Sequence, residues 1–472
     1  MPKSYLLASL ASILASFRDC FTAPSHDNFQ HIVCGWLLCA GRHTVSRVIQ
    51  AADGLGKDRQ HASLYRFFSR ARWDPDAVGR VILGLLLRYL PEDVEALVDD
   101  TLCNKGGAQI FGAAMHRDGS SSSRRSVAGG GPRFAFGHNW VVLAVWVPLA
   151  WAPGRGVAVP VAARLYRGRR GCPEEFYRKR TELALELIEL VAGWLPGPHS
   201  LSVAADSEYA CRTVVRNLPE EICFIGPMVM NAALHDPPPK RRGPGRPAKK
   251  GRRLPSPAQL AAGRKCWRKK TIELYGRSVD LLTKTAVCLW PTVAGERLVR
   301  VVLTRDPAGR FGDRAYFCTD PDLSVEEILM RFSHRWEIEV TFRNAKQTLG
   351  LADPQNGWWR RPHGKRRSER RPGAEPHAAR GRHAVERTVP LALTAHSVVI
   401  VWYLRHGRAA NDVRAAKRLA PWNRRKSSVS FDDMLGALRV ALWRHRISAY
   451  PLSDRVRRKL VRLLTPVWRS AA

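Results

Sequence analysis

The pattern of apolar and polar positions changes period several times along this chain. From the start to about residue 91, apolar residues recur every three or four positions, glycine is scarce, and turn signals fall at Ala23-Pro24-Ser25 and Asp53-Gly54-Leu55-Gly56. This predicts a set of short helices. Arg42 to Ile49 and His61 to Phe68 read as two of them, with basic and hydroxyl residues near their starts. From about residue 92 the pattern turns strand-like. Ala96 to Thr101 is a short apolar run ending in the acids Asp99 and Asp100. Trp140–Ala150 and Val157–Tyr166 are rich in β-branched and aromatic residues, Thr181–Trp194 is an amphipathic helix, and Leu201–Asp206 is a second apolar run that ends in an acid. Cys223–Met230 is strand-like, and strands resume at Thr271–Leu282, Ala286–Val293 and Leu298–Leu303. Strands followed by alternating helix and strand predict an α/β domain with a mixed sheet.

Ser324, with Glu327 three residues on, is a capping box that opens a helix over about 324–349. At about 100° per residue, Phe332, Arg335, Glu339, Phe342 and Lys346 share one narrow face. Two cations and a carboxylate interleaved with aromatics are unusual for a core face, and equally so for a solvated one. The stripe suits a site where an acid holds a metal and cations hold phosphates. The plainer reading is an amphipathic helix carrying an i,i+4 pair, Arg335–Glu339.

Composition sharpens the choice. The chain has 472 residues, 77 Lys and Arg against 41 Asp and Glu, and a net charge of +36. Such an excess self-repels unless a polyanion is at hand, which points to nucleic acid rather than to a membrane surface. The charge is concentrated in places. Residues 237–253 form a Pro/Gly/basic tract without acids that includes Lys240, Arg241, Arg242 and Arg246, and Gly245-Arg246-Pro247 resembles the core of an AT-hook. We expect it to bind the DNA backbone rather than read sequence. Residues 360–371 form a second basic run. The apolar run Val389–Leu404 contains His396 and ends at Arg405, so a buried helix is expected there rather than a membrane span. The N-terminal periodicity fits an amphipathic helix better than a signal peptide. The ten cysteines show no CxxC and no zinc spacing, which fits reduced thiols in a cytosolic protein.

Carboxylates at the ends of neighbouring buried strands can converge although distant in sequence. Asp99, Asp206 and Glu339 are such a trio, and three hard oxygen ligands suit Mg²⁺ or Mn²⁺. Two ions roughly 3.5–4 Å apart can serve the attacking and leaving oxygens of an in-line phosphoryl transfer. Asp100 competes with Asp99 for the first place, since only one of the two can point into the site from a strand.

At this point the chain resembles the DDE transposases of bacterial insertion sequences, in the branch (insertion sequence family four) marked by a Tyr–Arg–Glu–Lys signature. Phe332, Arg335, Glu339 and Lys346 stand at the signature spacing, with Phe332 in place of Tyr. Asp99-Asp100-Thr101 matches the family's Asp-x-Ser/Thr setting and favours Asp99. Asp206-Ser207-Glu208-Tyr209 matches the second acid. The resemblance implies an RNase H-like catalytic core with a β-rich insertion, flanked by helical N- and C-terminal regions. The corresponding divisions are 1–91 helical and DNA-binding, 92–231 the first part of the core, 232–320 the insertion with its basic loop, 321–405 the second part of the core, and 406–472 a basic helical region. It also implies cut-and-paste transposition through a hairpin, with two Mg²⁺ or Mn²⁺ ions at Asp99, Asp206 and Glu339. Arg335 and Lys346 would hold phosphates, and Trp336 would stack on a flipped base. The partners would be double-stranded DNA (element ends and target) and a second copy of the chain on DNA, in the cytoplasm at the nucleoid. The alternatives are a metal-dependent nuclease of the same fold that never transposes, and a non-catalytic DNA-binding descendant of a transposase.

Overall fold

The computed structural model describes residues 6–53, 61–106, 110–118, 134–239, 248–355 and 379–470. Five helices come first: α1 (Ala8–Ala15), α2 (Ala23–Leu38), α3 (Val45–Asp53), α4 (His61–Ser69) and α5 (Pro75–Leu86). Four strands follow, β1 (Asp93–Asn104), β2 (Ala114–Arg117), β3 (Phe134–Pro148) and β4 (Gly156–Tyr166). Next come α6 (Arg180–Ala192), β5 (Ser200–Ala205), α7 (Arg212–Val215), β6 (Cys223–Met228) and α8 (Pro257–Ala262). Strands β7 (Arg268–Leu274), β8 (Arg277–Leu289), β9 (Leu298–Arg305) and β10 (Arg314–Cys318) lead to α9 (Val325–His334) and α10 (Trp336–Thr348). The chain then runs through α11 (Ala379–His406), α12 (Ala409–Leu419), α13 (Phe431–Ser448) and α14 (Asp454–Ser470).

All ten strands belong to one mixed sheet. β1 pairs antiparallel with β3 on one edge and parallel with β5 on the other. β5 continues parallel to β6. Along its outer edge β3 meets first β2 and then β4, both antiparallel. The stretch expected to be an insertion contributes β7–β10, and β10 pairs antiparallel with β6, so these strands extend the same sheet. β3 and β5 are buried over most of their length, and β1 is buried over Val94–Val98. Strands covered on both faces read as continuous apolar runs, which is why Leu201–Ala205 was visible in sequence.

The β7–β8 hairpin turns at Tyr275 and Gly276, whose φ angles are 55° and 68°. Two consecutive left-handed residues make the tight turn that matches strand twist. A tyrosine in the first place disguises that turn in sequence, so a single strand over 271–282 was expected where two strands stand. β10 was likewise not anticipated.

The helices pack around this sheet. The main apolar cluster takes residues from α1 and α2 through the sheet to α11 and α13. Gly79 on α5 lies so close to β4 that an added Cβ would come within 1.8 Å of the Val161 carbonyl oxygen, so only glycine fits at this contact. Buried arginines tie distant segments together: Arg387 donates to the Phe68 and Trp73 carbonyls, and Arg439 to those of Leu37 and Cys39. α11 is long and apolar enough to cross a membrane, but 83% of its apolar window is buried inside the molecule.

Candidate active site

β1 presents two faces, and its odd-numbered residues look toward α9 and α10. Arg331 bonds Asp93 and, at 3.1 Å, Ser202 Oγ. His334 Nδ1 lies 2.7 Å from Glu95 Oε2, and its ring stacks on Trp146 at 3.8 Å and 4°. Arg335 reaches Asp99 Oδ2 at 3.1 Å and Glu339 Oε1 at 2.8 Å. The helices therefore run along the strand with their basic side chains matched to its acids.

The expected single helix is two. Ser324 caps α9 as the capping box predicts, accepting from the Glu327 N–H while Glu327 accepts from the Ser324 N–H. Around Arg335 the backbone tightens: Arg335 N–H donates to Phe332, and Ile338 N–H to Arg335, each spanning three residues. α10 then starts at Trp336. Such a local tightening bends a helix. It leaves Arg335 and Glu339 facing the strand and Trp336 49% exposed. Core packing therefore does not explain that tryptophan.

The second acid arrives by strand register. Val98 on β1 pairs with Ala205 on β5. One step further along these parallel strands, Asp99 and Asp206 stand side by side, on neighbouring strands about 4.8 Å apart. Asp206 Oδ1 accepts the Glu208 N–H at 2.9 Å, which fixes the turn after β5. Burial raises the Asp99 carboxyl to about 7. The Arg335 guanidinium opposes that rise, and the charges of Asp206 and Asp100 add to it. Arg335 is correspondingly held further toward its charged form by Asp99 and Glu339 against its own desolvation.

Asp100 points the other way. It accepts from Asn139 Nδ2 at 2.6 Å, from the Tyr209 hydroxyl at 3.1 Å and from Arg180 at 3.3 Å, and Arg180 also pairs with Glu208 at 2.7 Å. The two adjacent acids thus have different tasks. Asp99 faces Arg335 and Asp206, and Asp100 is the hub of a clamp that fastens β1 to β3 and α6. Sequence reasoning missed this clamp because Asn139, Arg180 and Tyr209 come from three separate elements.

Lys346 is exposed, and its charge acts on Cys103, two positions beyond Thr101 on the same β1 face. The Phe332 ring packs on Tyr316 of β10 at 4.8 Å, beneath the Arg335 guanidinium. Tyr316 is a site neighbour with no sequence signal. Lys240, Arg241, Arg242 and Arg246 lie outside the described residues, as does the run 360–371. Among the described residues, no three His, Cys, Asp or Glu side chains already form a group able to hold a metal ion. A guanidinium occupies the place between Asp99 and Glu339 instead.

The sequence profile of the DDE superfamily endonucleases matches residues 16–278, more than half of the chain. The chain belongs to this family. Asp99 and Asp206 lie within the matched residues, and Glu339 lies beyond them. No curated protein matches the chain. Among solved structures it is similar to a piggyBac transposase synaptic complex with hairpin DNA. That match covers 97% of this chain and 81% of the other, at 11% identity and a TM-score of 0.37. The overlap is long but loose in both shape and sequence.

Proposed function

We propose that this DDE endonuclease is a DNA transposase, and that Asp99, Asp206 and Glu339 are its catalytic carboxylates. The observation that carries the reading is the register of β1 and β5, which sets Asp99 beside Asp206, together with Arg335, which joins Glu339 to the same point. The strand order β4-β3-β1-β5-β6 supports an RNase H-like core, because Asp206 follows the carboxyl end of β5, where ligands bind in open α/β sheets, and Asp99 of the parallel strand β1 stands beside it.

The donor set is chemically suited to Mg²⁺ or Mn²⁺: three carboxylates and no soft ligand. Two such ions, held by Asp99, Asp206 and Glu339, would polarise the scissile phosphate and lower the pKa of the attacking water or hydroxyl. The rest falls to the chain's own groups. Arg335 neutralises the carboxylates while the site is free. A guanidinium released from them can take phosphate oxygens with the same fork of donors. Lys346, two turns beyond Glu339, reaches a neighbouring phosphate. Trp336 offers an open ring face to a base that leaves the stack.

The finer reading is cut-and-paste transposition of an insertion-sequence element of the Tyr–Arg–Glu–Lys branch, through a hairpin. It rests on the spacing of Phe332, Arg335, Glu339 and Lys346 and on the exposure of Trp336. In that reading the active species is a dimer on paired element ends, acting at the bacterial nucleoid, with Lys240, Arg241, Arg242 and Arg246 on the DNA backbone. The test uses end-labelled element DNA and Mg²⁺ on denaturing gels. Asp99→Ala, Asp206→Ala and Glu339→Ala should each abolish cutting while end binding persists, and a hairpin of doubled length should precede the double-strand break. Wild-type cutting by Asp206→Ala or Glu339→Ala would refute the site. Breaks that never pass through a hairpin would leave an endonuclease without this transposition route.

A further inference from the structure

The far C-terminal helices carry a second concentration of charge that the active site does not use. α12, α13 and α14 enclose a groove of about 650 Å³. Six arginines line it: Arg418, Arg444, Arg457, Arg458, Arg462 and Arg469. Two of them are accounted for within the fold. Arg469 pairs with Asp412 at 2.7 Å and so ties α14 to α12, and Arg457 pairs with Asp454 at 2.7 Å. The other four are exposed, and among the described residues none has a carboxylate partner. No acid lines the groove among the described residues.

This arrangement works against the isolated fold. Arg458 and Arg462 stand four residues apart on α14, a spacing at which like charges repel. Arg444 and Arg418 add two more cations from facing helices. The helices cannot splay to relieve the repulsion. Trp443 of α13 stacks on Trp468 of α14 at 5.8 Å and 9°, and Val440 and Ile447 pack beneath them. A rigid cleft that holds four unneutralised guanidinium groups is preorganised for a polyanion. Arg is also the residue that best matches phosphate geometry. The groove floor, with Leu419, Val461 and Pro466, is apolar and suits the sugar edge of a backbone.

We propose that the α12–α14 groove is a second DNA-backbone site, separate from the carboxylate centre, in which Arg418, Arg444, Arg458 and Arg462 hold phosphates of duplex DNA. The occupant is DNA rather than an acidic protein because the chain's cutting site, as read above, already brings DNA to the molecule. The proposal rests on that reading. Two copies of the free chain would not dock here, since the groove would meet its own charge.

The test is duplex binding by the full-length chain without divalent ions, followed by fluorescence anisotropy across a salt series. Each phosphate neutralised contributes about 0.9 to the slope of log K against log salt. Replacing all four arginines with Gln should therefore lower the slope by up to about 3.6, so that a fourfold rise in salt weakens the wild type ~150-fold more than the variant. The Arg→Lys set should keep most of the slope. Arg458→Gln with Arg462→Gln, both exposed on one helix, should lower it by about 1.8 and serves if the fourfold variant fails to fold. An unchanged slope in a folded variant overturns the groove and leaves the active site standing. A wild-type chain that does not bind duplex at all refutes the proposed function itself.

Discussion

Replacing Asp99 with Asn should make the protein more stable while making it inactive. Burial holds the Asp99 carboxyl at about 7 in the folded chain, against an ordinary value of 3.8. The folded state therefore binds one more proton than the unfolded state between those limits, and stability falls as pH rises through that window. At about 1.36 kcal/mol per pH unit, the carboxylate costs about 4 kcal/mol by pH 7.5. The amide cannot ionise, so that cost vanishes. Against this, the charge-assisted bond from Arg335 at 3.1 Å becomes a neutral one, a loss of about 1 kcal/mol. Arg335 keeps Glu339 at 2.8 Å. A net gain of about 3 kcal/mol is expected at pH 7.5, shrinking to nothing or reversing near pH 4. Urea unfolding in EDTA at a series of pH values from 4 to 8 measures it directly. Adding Mn²⁺ should then stabilise the wild type and leave the variant unmoved, because an ion that binds only the folded state raises its stability. A variant that is less stable than the wild type at pH 7.5, or one with an unaltered pH slope, refutes the placement of Asp99 in a buried acidic site.

Asp100→Asn should behave in the opposite way, since it strips Arg180 of a charge partner and weakens three bonds; a loss of about 2–4 kcal/mol in urea is expected. Trp336→Ala should change stability by less than about 0.5 kcal/mol, as an exposed site does, yet slow hairpin formation more than the first nick on time-resolved gels. His396 stacks on Phe431 at 4.2 Å, neither ring nitrogen has a hydrogen-bond partner among the described residues, and burial lowers its pKa to about 3. His138 is lowered to about 3 as well. Unfolded chains take up those protons near pH 6.5, so these two groups drain stability as pH falls from there towards 3, against the opposite contribution of Asp99, and His396→Phe should remove one histidine's share of the net slope in thermal melts.

The parts of the site that follow local periodicity were legible in sequence. An apolar run ending in an acid marks a buried strand, and it drew attention to Asp206, just past the end of β5, and to Asp99, after which β1 runs on to Asn104 inside the sheet. The capping box fixed the start of α9. What local pattern does not encode is which strand lies beside which. Nothing in Arg314–Cys318 says that it will pair with β6 and join the second half of the sheet to the first. The bend at Arg335 escaped as well: its sequence is ordinary helix former, and the tightening shows only in the three-residue backbone bonds of Arg335 and Ile338. The choice between Asp99 and Asp100 was posed correctly by alternation along a strand. It took Asn139, Arg180 and Tyr209 to show which residue faces which way.

The bond between Arg335 and Asp99 joins residues 236 positions apart, and β7–β10 form between them. Contacts of such separation are late events in folding, because the loop must close before the contact rewards it. A chain emerging from the ribosome makes β1 and β5 early, but the helix that bears Glu339 can dock only after the four added strands have been laid down. Any cutting centre that needs all three acids is therefore incomplete until the sheet is whole. Partly made chains, and those truncated before residue 325, would carry basic charge capable of holding DNA without the means to break it. The order of elements along the chain thus delays completion of the endonuclease centre until the whole sheet has been made.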